Sequence, residues 1–216
     1  AAQIDGLERP PISYKTAQAE NVVAELQKKI ATGKVRLMYA GDHGYLPALL
    51  KELGVPQSSQ ILVFSKTGIQ HPFTGPDNPR ALYFNDRVVV GYIPGAPLIE
   101  MASHDPRQGV MFRTLAQDAS RAAFARPDRC ISCHLSSNSL DVPGMLVRSM
   151  STAADGRPAP EADDARACDY LGVGSIYPTG SKGDAALTAY VRIEHKPGRF
   201  GTNLCESGFS APSQDG

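Results

Sequence analysis

The spacing of apolar positions changes along the chain. Ala19, Val22, Val23, Leu26 and Ile30 recur at helical spacing, with Thr16 as a candidate cap and Gly33 as a stop, and predict an amphipathic helix. Residues 34–40, KVRLMYA, alternate and predict a short strand. The turn GDHG then leads into YLPALLKELG. Here Leu46, Leu49, Leu50 and Leu53 share one face, Pro47 stands near the start, and Gly54 with Pro56 supplies the stop of a second helix. From residue 60 the period shortens to two. QILVFSK, ALYFND, RVVVGYI, LIEMASHD and GVMFRTL are β-branched or aromatic runs divided by Gly, Pro, Asn and Asp. Their short spacers predict antiparallel neighbours, and FNDRVVV predicts a hairpin in which Asn85 and Asp86 can take the positive φ of a tight turn. Asp118 to Arg126 predicts a short helix ended by Pro127. Residues 151–168 are rich in Ala, Asp and Pro and predict a surface loop; YLGVGSIY and ALTAYVRIEH predict two more strands before a Gly/Ser-rich tail.

These patterns predict an α+β fold. Antiparallel strands make up the middle and C-terminal part, with a few helices near the N-terminus and around residues 130–134. The expected organisation is one domain over residues 1–216, with an extended N-terminal arm bearing Pro10 and Pro11 and a flexible C-terminal tail. The 17 Pro and 20 Gly argue against a plain helical bundle, because both interrupt helix interiors.

Charge narrows the partners. Lys plus Arg and Asp plus Glu are both 22, so the balance favours neither a nucleic acid nor an anionic membrane. No apolar run approaches the roughly 20 residues that span a bilayer, and no charged-then-apolar leader opens the chain. The start AAQIDG is expected to be a mature or trimmed terminus.

The chemistry-bearing stretch is CISCH, Cys130 to His134. Two thiols that can add to vinyl groups and an imidazole beside the second satisfy covalent haem attachment on a single turn. Three other readings compete, one of them chance recurrence of three fixed positions in five residues. Zinc would use Cys130 and Cys133 at knuckle spacing, but no second C-x-x-C or H-x-x-x-H is present. A thioredoxin-like dithiol needs a strand before it and a helix after it, whereas SSNSLDVPG follows. The remaining cysteines, Cys168 and Cys205, form an even pair. They can close a disulfide loop of about 37 residues in an oxidising compartment, or stay as two buried thiols.

At CISCH the chain resembles the c-type cytochromes. That resemblance implies thioether attachment of one haem c at Cys130 and Cys133, with His134 as the proximal iron ligand. A wider likeness runs over residues 39–150, through GYLPALLKELGVPQSSQILVFSKTGI, PRALYFNDRVVVGYIPG and CISCHLSSNSLDVPGMLVRS. This part looks like an uncharacterised domain of predicted bacterial cytochromes with no assigned activity. Here 129 residues with many strands precede the motif, so the small all-helical cytochrome fold is not expected.

A distal iron ligand would decide between a closed electron carrier and an open site. Met145 is the first candidate: it lies 11 residues after His134, a span of up to ~36 Å, with Pro143 and Gly144 to turn the chain. Met150, His104 and His195 are alternatives, and Met145 is equally readable as a core side chain. His43 and His71 are expected to be solvated. Arg126, Arg129 and Arg148 flank the motif as candidate propionate partners, and Tyr83 and Tyr92 read as strand core. The expected function is an exported monohaem cytochrome, periplasmic or extracellular, passing single electrons to a redox partner protein. The alternative is an open-site haem enzyme or gas sensor acting on peroxide or a nitrogen oxide, with His104 or Arg113 as distal helpers.

Overall fold

The computed structural model describes residues 7–10, 12–63, 65–135, 142–145 and 155–157. Helix α1 spans Val22–Ala31, and the cap is Asn21 rather than Thr16. The Asn21 side chain accepts from the Ala24 N–H at 3.0 Å, satisfying one of the donors that a helix start leaves unpaired. Upstream residues do not join the helix because their N–H groups are taken elsewhere. Those of Thr16 and Ala17 donate to the Ser13 carbonyl, and that of Glu20 donates to the Asp105 carboxylate.

Helix α2, Leu46–Leu53, follows the predicted pattern. All four leucines are buried, Pro47 sits in the first turn, and Gly54 ends the helix at φ +64, a left-handed value that suits glycine. Burying each leucine contributes roughly 1.5–3 kcal/mol. Residues 34–40, in contrast, form no strand. The N–H groups of Lys34 and Val35 donate back to the Lys29 carbonyl, and only Leu37 of this stretch's apolar residues is buried, so the alternation has no ladder to join.

Six strands make one antiparallel sheet in sequence order: β1 Ile61–Val63, β2 Arg80–Phe84, β3 Val88–Tyr92, β4 Leu98–Asp105, β5 Gly109–Ala116 and β6 Phe124–Ala125. The fold is α+β with mostly antiparallel strands, as the periodicity predicts, and it is not all-helical. Hairpin β2–β3 forms at the expected place, but neither Asn85 nor Asp86 takes a positive φ. Asn85 closes the turn through its side chain instead. Its Oδ1 accepts from the Arg87 and Val88 N–H groups, and its Nδ2 donates to the Leu53 and Gly54 carbonyls, tying the hairpin to the end of α2.

The helix expected over 118–126 is replaced by a turn and β6. Asp118 Oδ1 accepts from both the N–H and the hydroxyl of Ser120, and the Asp118 carbonyl accepts from the Tyr45 hydroxyl at 2.7 Å. Such local side-chain bonds compete with helix formation. Residues 151–154 and 158–216, with both predicted C-terminal strands and the tail, lie outside the described residues.

The sheet has two distinct faces. Val88, Val90, Tyr92, Ile99, Met101 and Leu115 point to the side covered by α1 and α2 and build the main core. Leu82, Phe84, Val89, Ala102, Val110 and Phe112 alternate with them on the opposite face. A second cluster joins Val110, Met111 and Phe112 of β5 to Leu7, Tyr14, Ile131 and Leu135. Tyr92, expected as strand core, is buried, and Tyr83 is half-buried against the main core. Among the described residues no helix is long and apolar enough to cross a membrane.

Candidate functional site

Cys130 to His134 lie on a tight turn, Asp128–Cys130, continued by the short helix α3, Ile131–His134. Positions three and four apart share a helical face, so Cys130, Cys133 and His134 come to one side. Ile131 and Leu135, also four apart, are buried in the second cluster and anchor the turn against β5. Cys130 is half-buried against that cluster and Cys133 is exposed.

Among the described residues, Phe112 and Gly144 both contact His134. Its ring packs on Phe112 of β5, with centroids 4.4 Å apart and planes tilted by 39°. Its Nδ1 lies 3.0 Å from the Gly144 carbonyl oxygen, and the Gly144 N–H donates to the His134 carbonyl, also at 3.0 Å. A carbonyl can only accept, so Nδ1 carries the proton in this contact, which leaves Nε2 as the nitrogen suited to ligation. Ligating histidines are oriented in this way by a partner on the other nitrogen.

The segment 142–145 is itself fixed to β5. The Val110 N–H donates to the Pro143 carbonyl at 2.8 Å. Gly109, at φ +73, makes room: a Cβ there would sit 2.7 Å from the Pro143 oxygen and 2.9 Å from Val142 Cγ1. Next along the same strand edge, the Tyr14 hydroxyl accepts from the Phe112 N–H at 3.3 Å and reaches the Val110 carbonyl at 3.4 Å. It pairs backbone groups beyond the reach of β6, which is registered only with Thr114 and Leu115. Burial raises the Tyr14 pKa, which keeps the phenol able to donate.

The thiol electrostatics bear on the redox-dithiol reading. Burial first, then the charges of Glu100 and Cys133, pushes the Cys130 thiol up to about 11. A redox dithiol nucleophile works with the opposite shift. Among the described residues every strand pairing is antiparallel, so no βαβ unit frames the motif, and no group of three or more His, Cys, Asp or Glu could hold a metal ion on its own. The donor set of two protonatable thiols and an oriented imidazole on one turn does fit a covalently attached haem.

The other candidates are scattered. Met145 directly follows Gly144, so its backbone begins at the Nδ1 edge of His134, and it is 36 % exposed. His104 is exposed at the end of β4, paired with Val110, on the same sheet face as Phe112. Arg113 belongs to the opposite face, registered with Met101. Arg126 donates to the Tyr14 and Lys15 carbonyls and lies over the Tyr14 ring, with Cζ 5.0 Å from its centroid. Arg129, His43 and His71 are exposed. Met150, His195, Arg148, Cys168 and Cys205 lie outside the described residues. Sequence reasoning missed Phe112, Gly109, Tyr14 and the Gly144 carbonyl; only RQGV, a glycine opening an apolar run, hints at one of them.

No family model, no curated protein and no solved structure matches the chain.

Proposed function

We propose that the chain is an exported monohaem c-type cytochrome that transfers single electrons. Cys130 and Cys133 would hold one haem c by thioethers, and His134 would be its proximal ligand. The observation that carries this reading is the bond from His134 Nδ1 to the Gly144 carbonyl, made on the turn that also gathers both thiols. It orients the imidazole with Nε2 as the ligating nitrogen, and Phe112 limits rotation of the ring. When bound, the haem supplies a one-electron iron couple. The residues around it contribute burial on the Phe112 side and a thiol at Cys130 kept protonated. Covalent attachment outside the cytoplasm, with Cys168 and Cys205 left as an even pair, supports a periplasmic or extracellular setting. A redox partner protein would be met through local surface patches, because the formal charge of zero gives no long-range steering.

The position of Met145 favours a second reading, an open-site haem enzyme or gas sensor. Its backbone starts on the Nδ1 edge of the ring, away from the nitrogen that would ligate, which does not favour Met145 as a second ligand. His104 then remains the described histidine on the same sheet face.

The test is expression in a host that attaches haem c, followed by a pyridine haemochrome assay and reduced spectra with and without carbon monoxide. The cytochrome reading expects covalent haem that is lost in Cys130→Ala/Cys133→Ala, and a low-spin ferrous spectrum unmoved by carbon monoxide. Ready carbon monoxide binding selects the open site. Absence of covalent haem overturns both.

A further inference from the structure

Successive residues of β5 look in opposite directions. Phe112 meets His134, whereas Arg113 points to the face covered by α1. Arg113 is 7 % exposed, and its Nε has no hydrogen-bond partner. The nearby Arg126 has an unpartnered Nε as well, although its terminal nitrogens donate to the Tyr14 and Lys15 carbonyls. Neither guanidinium takes part in a salt bridge among the described residues. Buried charges are ordinarily paired, and a guanidinium cannot discharge itself by losing a proton near neutral pH.

Asp105 is the carboxylate whose charge acts on Arg113, but its oxygens are committed. Oδ2 accepts from the Glu20 N–H at 2.7 Å and from Asn21 Nδ2 at 3.0 Å; Oδ1 accepts from the N–H groups of Arg107 at 3.1 Å and Gln108 at 3.2 Å. Burial, reinforced by Arg126, lowers the Arg113 pKa, the direction expected for a cation short of a partner.

Arg113 lines an open surface depression between α1 and the segment before it. Lys28, Gln18 and Gln27 supply its other polar groups, alanines form the apolar wall, and no acidic side chain contributes. We propose that this depression binds a small oxyanion, a carboxylate or a phosphate, held by Arg113 and drawn in by Lys28. A planar guanidinium matches either anion, and the Lys28 ammonium adds charge at the rim. The site lies on the far face of the sheet from His134 and does not depend on the cofactor reading.

The full-length chain is tested by thermal unfolding with sodium acetate or inorganic phosphate, each against potassium chloride at equal ionic strength. A saturating rise of the midpoint with either probe is expected, because a ligand that binds only the folded state stabilises it. Acetate alone identifies a carboxylate site and phosphate alone a phosphate site. Lys28→Gln, an exposed change that leaves the core intact, should raise the half-saturating concentration roughly 3- to 10-fold. Arg113→Lys, where it folds, should raise it at least about tenfold through loss of the planar fork. Midpoints indistinguishable from chloride, or a response unaltered in Lys28→Gln, overturn the proposal.

Discussion

Gly109→Ala tests how the strand edge supports His134. The native φ of +73 puts an L residue in the left-handed region, at a cost of about 1–2 kcal/mol. The new Cβ would lie 2.7 Å from the Pro143 carbonyl oxygen, a backbone atom, so segment 142–145 must shift and the Val110 N–H loses its acceptor. That hydrogen bond contributes about 1 kcal/mol. Reduced freedom of the unfolded chain offsets about 0.5 kcal/mol. The net loss is about 2 kcal/mol, or a midpoint lower by roughly 4–8 °C in a chain of this size. The same shift withdraws the Gly144 carbonyl from His134 Nδ1. Thermal unfolding of the full chain, with ¹⁵N NMR of the His134 ring nitrogens before haem attachment, reads both effects. Gly95→Ala is the control: its φ is +74 but nothing lies within 4 Å of the added Cβ, so it should lose about 1 kcal/mol and leave His134 unchanged. If the two variants lose equal stability and both keep the proton on Nδ1, the proposed link from Gly109 to His134 is wrong.

Three further outcomes are expected. Burial works to raise the Asp105 pKa, but bonds from Glu20, Arg107, Asn21 and Gln108 outweigh it and hold the carboxyl below its ordinary value. Its stabilisation is therefore present above roughly pH 4 and is lost as pH falls through the folded-state value; Asp105→Asn should cost about 3 kcal/mol at pH 7 in urea unfolding, with the gap narrowing in acid. A gap that stays constant to acid pH refutes the assignment. Asn21→Ala should cost about 2 kcal/mol, through the lost cap and the lost bond to Asp105, against at most about 0.5 kcal/mol for Thr16→Ala; equal losses would restore Thr16 as the cap. In the haem-free chain, Cys130 with a pKa of about 11 should be alkylated at least about tenfold more slowly than exposed Cys133 at pH 8, as read by peptide mass mapping. Equal rates would show that Cys130 is not shielded.

The elements legible from the sequence were those with a complete local signature. Leu46, Leu49, Leu50 and Leu53, with Pro47 and Gly54, carry start, face and stop within one short stretch, and α2 forms as that pattern predicts. Runs rich in β-branched and aromatic residues with short spacers similarly specify an antiparallel meander. The errors fall where a distant group competes for a local one. Thr16 has the chemistry of a cap, but Asp105 takes the Glu20 N–H and the helix begins at Val22, capped by Asn21. Asp118–Arg126 has helical composition, yet the Ser120 and Tyr45 bonds at Asp118 stop it.

The candidate site divides in the same way. Sequence alone determined that two thiols and an imidazole can share one helical turn, because spacings of three and four residues translate into one face wherever that turn forms. Tertiary structure decided which groups surround the turn. Phe112 under the His134 ring, the Gly144 carbonyl at Nδ1 and the glycine at 109 that admits Pro143 depend on strand register and on contacts between segments far apart in the chain. The burial of Arg113 is of the same kind: alternation assigns it a face, and only the packing of α1 over that face leaves its Nε unpartnered. Local periodicity encodes direction, whereas hydrogen-bond partners and burial are set by the assembled sheet.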